Sequence, residues 1–127
     1  MDPKSKIVLA VVAAVALGAA AVQVLHAQAI SKAYIVTETE VLDAAALAAY
    51  TPQVRAAIAA AGGRPVARAG GKTVAFVGQP QRVSITEWDS MEKAQAYRNS
   101  AAYKDLAPQR DKAVKSIRAF AIDASTN

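Results

Sequence analysis

A chain of 127 residues with a formal charge of +5, no cysteine and one histidine has room for a single domain and for neither a disulfide nor a thiolate nucleophile. A zinc site built from His and Cys ligands is excluded with them. The charged residues are scattered singly, without the basic clusters interleaved with aromatics that mark a nucleic-acid surface, so no nucleic-acid partner is expected.

In chain order, Lys4 and Lys6 precede an uncharged apolar run from Ile7 to Val22, and Ala27-Gln28-Ala29 follows with the small-x-small pattern of a signal-peptidase site. Residues 1–29 therefore read as a signal peptide and 30–127 as the mature domain, exported to a bacterial periplasm or beyond. The alternative is a retained anchor, the run approaching the roughly 20 residues that span a bilayer; the membrane would then be met only through this segment. Cleavage also removes His26, the only imidazole.

"AYIVTETEV", Ala33 to Val41, alternates and is rich in β-branched residues, as a strand does. Tyr34, Val36 and Glu38 fall on one face, Ala33, Ile35 and Thr37 on the other. Asp43 caps an alanine-rich helix with Leu47, Tyr50, Val54 and Ile58 at spacings of three and four; Thr51-Pro52 predicts a kink or restart. "AGG" at 61–63 suits a left-handed C-cap. "RPVARA", 64–69, reads as a short strand turning at Gly70-Gly71 into a second extended stretch, "KTVAFVG". After Gly78 and Pro80, "RVSITEW", Arg82 to Trp88, is a clear strand. Asp89 with Glu92 predicts an acidic capping box, Asn99-Ser100 a break, and "SIRAFAID", 116–123, a final strand.

This order predicts an α+β, ferredoxin-like split βαβ sandwich: an antiparallel sheet with helices on one face. The other face carries Tyr34 and Val36, Val83 and Ile85, Phe120 and Ile122, so it needs cover. Pairing of two sheets in a homodimer provides it.

"AAAGGRPVARAGGKT" and "RVSITEWDSMEKAQAYRNSAAYKDLAPQRDKA" resemble the domain of unknown function 1330 family, of the dimeric α/β-barrel superfamily, over about Lys32 to Asp123. "WDSMEKAQAYRNSAAYK" is the most specific part. The resemblance implies the fold, the dimer and a small cavity between sheet and helices, and no established reaction. The wider superfamily includes cofactor-free monooxygenases and haem-binding members. Several of the monooxygenases carry a tryptophan before the second helix, matched here by Trp88, and a histidine where this chain has Tyr103, so an imidazole mechanism does not transfer.

Tyr103 and Arg110 share a helix face at spacings of three and four, and either they pack structurally or they line a cavity. In the second case Tyr34 and Tyr50 join them around an aromatic or carboxylate ligand, with Arg68 and Trp88 as further ligand contacts. Glu87 or Tyr103 would then move protons, Glu87 as a desolvated base, while Arg110 held an anion in bidentate fashion. Glu38, Glu87, Arg68 and Arg118 are expected to pair if they point to one sheet face. No cofactor is expected: haem would have only tyrosine, Met91 or water as axial ligand. The function classes that follow are a cofactor-free enzyme for proton transfer or oxygenation of a small carbonyl or phenolic compound, a non-catalytic ligand-binding module, and a structural dimer.

Overall fold

The computed structural model describes residues 31–125, so the expected signal peptide at 1–29 lies outside the described residues. Strand β1 spans Ala33–Val41, helix α1 Ala44–Ala60, β2 Arg64–Ala67, β3 Arg82–Trp88, α2 Met91–Asn99, α3 Ala101–Lys104, α4 Ala107–Ala113 and β4 Val114–Asp123. The sheet order is β2-β3-β1-β4 with every neighbour antiparallel, which is the ferredoxin-like arrangement. No helix among the described residues is long and apolar enough to cross a membrane.

The Asp43 side chain accepts the Ala46 N–H at 2.9 Å and starts α1. The helix then runs unbroken through Pro52, against the expected kink. Proline removes one backbone donor there, but the Thr51 hydroxyl donates to the Leu47 carbonyl at 2.7 Å and the Gln53 amide to the Ala49 carbonyl at 3.1 Å. Gly62, at φ 92°, ends the helix in the left-handed region. Gly63 serves a different need: an added Cβ would stand 2.7 Å from both Ile58 and the Trp88 ring.

Two other expectations are corrected. "KTVAFVG" forms no strand, and residues 68–81 are a long irregular connection with Phe76 and Val77 94% and 97% exposed. Alternation makes a strand only where an edge is available to pair, and β2 is four residues long with its register broken between Pro65 and Ala67. The cap of α2 is Ser90, which accepts the Lys93 N–H at 3.2 Å, because Asp89 is engaged by Arg64 at 2.8 Å. The Asn99-Ser100 break is present, with Ser100 capping α3. The last strand starts at Val114, two residues early.

Register fixes two unlike faces. Ala33, Ile35 and Trp88 face the helices and are buried. Tyr34 pairs with Glu87 and Ile122, Val36 with Ile85 and Phe120, and Glu38 with Val83 and Arg118 on the face without helices. Under the helices the core forms two clusters. One gathers Ala33, Ile35, Trp88, Ala94 and Tyr97; the other gathers Tyr50, Ala113 and Val114.

Candidate functional site: an arginine-lined cavity under the helices

Between the two clusters lies a cavity of ≈ 310 Å³, the size of a small ligand site. Cluster residues reach it from both ends: Ile35, Ile58, Tyr97 and Tyr103 from one, Leu47, Tyr50, Val54 and Val114 from the other. Its floor is the helix-facing side of the sheet, where Thr37, Thr39, Ser84, Thr86 and Ser116 stand in place of the aliphatic residues a dry core would use. Only Thr86 of these five has a side-chain hydrogen-bond partner among the described residues, accepting from Trp88 Nε1 at 3.0 Å. Thr37, Thr39, Ser84 and Thr86 share the parity of Ile35 and Trp88, so period-two alternation places them together, whereas Ser116 reaches this face through the register shift between Glu38 and Thr39.

The aromatic wall is built stepwise. Trp88 and Tyr97 stack with centroids 4.9 Å apart, and Tyr103 meets Tyr97 edge-on at 5.5 Å. The guanidinium carbons of Arg98 and Arg110 lie 4.3 and 4.2 Å from the Tyr103 ring centroid, within cation–π range. Arg110 also donates to the Tyr103 carbonyl at 3.2 Å, which locks the α3–α4 corner, and Leu42 N–H donates to the Ala113 carbonyl at 2.9 Å, tying the end of α4 to the entry of α1. Tyr50 and Arg110 thus face one space.

Burial pushes the Tyr50 phenol up, against the pull of Arg110. Burial likewise pushes Tyr97 up to about 12, so both are neutral hydrogen-bond donors rather than bases at neutral pH. The Tyr97 hydroxyl is buried with no hydrogen-bond partner among the described residues, a state that costs about 1–3 kcal/mol unless something in the cavity accepts from it.

Five arginines line the same space: Arg55, Arg68, Arg82, Arg98 and Arg110. No Asp or Glu does. The nearest approach of an acid to any of the five is Asp111 Oδ1, 4.0 Å from Arg110 Nε, with the Asp111 side chain turned to solvent at 78% exposure.

Of the residues named from sequence, Tyr50, Tyr103, Arg68 and Arg110 meet in this cavity. Three do not. Tyr34 lies on the opposite face, its hydroxyl donating to Glu87 at 3.1 Å. Glu87 is on that face too, bound by Lys32 and Arg64, each at 3.0 Å; Lys32 first and Arg64 next hold its carboxyl below the usual range, the reverse of a desolvated base. Trp88 is fully buried beneath Tyr97 as core. Glu38 and Arg118 pair at 2.8 Å on the outer face, and Arg68 parts company with them. No cluster of three or more His, Cys, Asp or Glu able to hold a metal is present among the described residues.

The chain belongs to the family described as "Domain of unknown function (DUF1330)", whose model matches residues 32–124. Among solved structures it is similar to the RPA0582 protein of unknown function from Rhodopseudomonas palustris, at 18% identity over 76% of this chain and 85% of that one, TM-score 0.59. It is also similar to SnoaB, a cofactor-independent oxygenase from Streptomyces nogalater, at 13% identity over 76% and 96%, TM-score 0.54. These likenesses carry the fold. A search of curated proteins finds no match.

Proposed function

We propose that this DUF1330 chain forms a face-to-face homodimer and that each copy's cavity binds a small, partly apolar molecule bearing an acid group, an aromatic carboxylate being the simplest. The carrying observation is the set of five arginines lining an otherwise largely apolar cavity without one carboxylate among them. Arg98 and Arg110 are half-buried against the Tyr103 ring, and an anion bound in the cavity would accept bidentate hydrogen bonds from them. Tyr50 and Tyr97 add neutral donors, while Ile35, Val54 and Ile58 suit an aromatic or alicyclic body. The test is a crystal of the protein soaked with a mixture of small aromatic acids. Ordered density against Arg110 supports the reading; a cavity that stays free of acids at millimolar concentration contradicts it.

The dimer is supported by the outer sheet face, where Phe120 and Ile122 are 49% and 53% exposed beside Val36 and Ile85. Light scattering should give twice the chain mass; a stable monomer at micromolar concentration contradicts it. Export rests on the Ala27-Gln28-Ala29 pattern, and the intact mass of the exported protein decides whether residues 1–29 are removed.

A second reading, cofactor-free oxygenation, is favoured by the same arginines. They would hold a phenol or enol in its ionised, electron-rich form, which can give an electron to dioxygen without a protein base, as befits a site that Glu87 does not reach. The similarity to a protein described as a cofactor-independent oxygenase is compatible with it. Oxygen uptake with phenolic acids that bind separates this from binding alone.

A further inference from the structure

Four of the five arginines of the cavity fall into two pairs, Arg68 belonging to neither, and that division bears on the shape of the ligand. Arg98 and Arg110 are half-buried, both held against the Tyr103 ring, next to Tyr97, whose hydroxyl is buried and has no partner. Arg55 and Arg82 stand elsewhere. They also border a shallow open groove along α1, formed with Ala44, Ala48 and Pro52, so they mark the mouth where the cavity meets the surface. The rest of the lining combines apolar side chains such as Val54 and Ile58 with the hydroxyls of the sheet floor.

We infer, building on the acid-binding reading above, that the ligand carries two separated acidic groups joined by an apolar spacer: a compact dicarboxylate, with one acid at Arg98 and Arg110 and the other at Arg55 and Arg82. A single carboxylate has about four lone-pair sites and is satisfied by two guanidinium forks. It would leave the second pair without an acid. A spacer the length of a benzene ring matches a cavity of ≈ 310 Å³ and fills the space between the two pairs. The unpartnered Tyr97 hydroxyl donates to the inner acid, which gives that end three donor groups and leaves the outer acid to the more hydrated arginines.

The test is calorimetric titration of the full-length protein with terephthalate, isophthalate and the monomethyl ester of each, at one fixed ionic strength. At least one diacid should bind about tenfold more tightly than its own monoester, the gain expected of one additional charge-assisted pair. In the Arg55→Gln/Arg82→Gln double variant that advantage should vanish while the monoester keeps its affinity. Arg110→Gln should weaken diacid and monoester together. Equal affinity for every diacid and its ester overturns the two-acid inference and leaves the monoacid site standing, as does an equal loss of both ligands in the double variant. Failure of all four probes to bind overturns both readings. The double variant changes exposed or half-exposed side chains, and a melting temperature within a few degrees of wild type shows that its fold is intact.

Discussion

The two faces of this sheet treat arginine in opposite ways. On the outer face each arginine meets an acid: Arg64 reaches Glu87 at 3.0 Å and Asp89 at 2.8 Å, and Arg118 reaches Glu38 at 2.8 Å. Beneath the helices, five arginines share a cavity into which no acid projects. Ion pairing on the outer face completes itself within the chain and helps to fix strand register, since Glu87 sits opposite both Tyr34 and Arg64. A single residue type is paired with acids on one side, while on the other it lines a cavity that no Asp or Glu among the described residues lines.

The largest expected effect breaks the packed end of the helix side. Trp88→Ala removes the fully buried ring under Tyr97 and should cost about 3–5 kcal/mol in urea unfolding, with ligand binding lost because Tyr97 and Tyr103 lose their support. The matching change outside, Phe120→Asp, should leave the fold of each copy intact and convert the dimer to monomer by light scattering. Gly63→Ala tests the same packed end more gently. Its Cβ would sit 2.7 Å from Ile58 and Trp88, an overpacking worth about 1–3 kcal/mol.

Tyr97→Phe sharpens the comparison because stability and binding should move apart. Removing a buried hydroxyl that has no partner should raise stability by about 1 kcal/mol while weakening an aromatic acid severalfold. Tyr103→Phe should stay within about 1 kcal/mol of wild type, since the ring and its arginine contacts are kept.

The smallest effect is in pH and belongs to the outer face. Lys32 and Arg64 hold Glu87 below the usual carboxylate range, and Arg64 holds Asp89 below it. A depressed folded pKa contributes stability that is present above the unfolded value, near 4, and lost as pH falls through the folded one. Unfolding midpoints should therefore drop on acidification below about pH 4, and Glu87→Gln should make that drop shallower.

Much of the fold was legible in the sequence because its signals are local. Alternation gave β1 and β3, Asp43 and the glycines gave the ends of α1, and Ser100 gave the break before α3. "KTVAFVG" misled because strand alternation says nothing about whether a partner edge exists. Asp89 misled because both it and Ser90 can cap a helix, and only the tertiary position of Arg64 decides between them. In the candidate site Tyr103 and Arg110 meet, but across the corner between α3 and α4 rather than on one helix face as the spacing predicted. Tyr34 was misplaced although its parity with Val36 already put it on the uncovered face. The clearest missed signal was Thr37, Thr39, Ser84 and Thr86, hydroxyls at helix-facing positions where a core would place aliphatics; Ser116 joins them only through a β-bulge that its parity does not reveal. The gathering of Arg55, Arg82 and Arg98 was not legible, since they come from three elements whose convergence only the fold reveals.

The account stands on the inner arginines serving an external acid, and a matched pair of ligands tests this most directly. Thermal unfolding of the full-length protein should be followed in benzoate and in benzamide, its neutral isostere, for wild type and for Arg110→Gln. Benzoate should raise the wild-type midpoint in a concentration-dependent way, as a ligand bound only by the folded state does, with benzamide inert and the benzoate shift largely lost in the variant. Equal shifts by benzoate and benzamide, or a benzoate shift unchanged in Arg110→Gln, would contradict it.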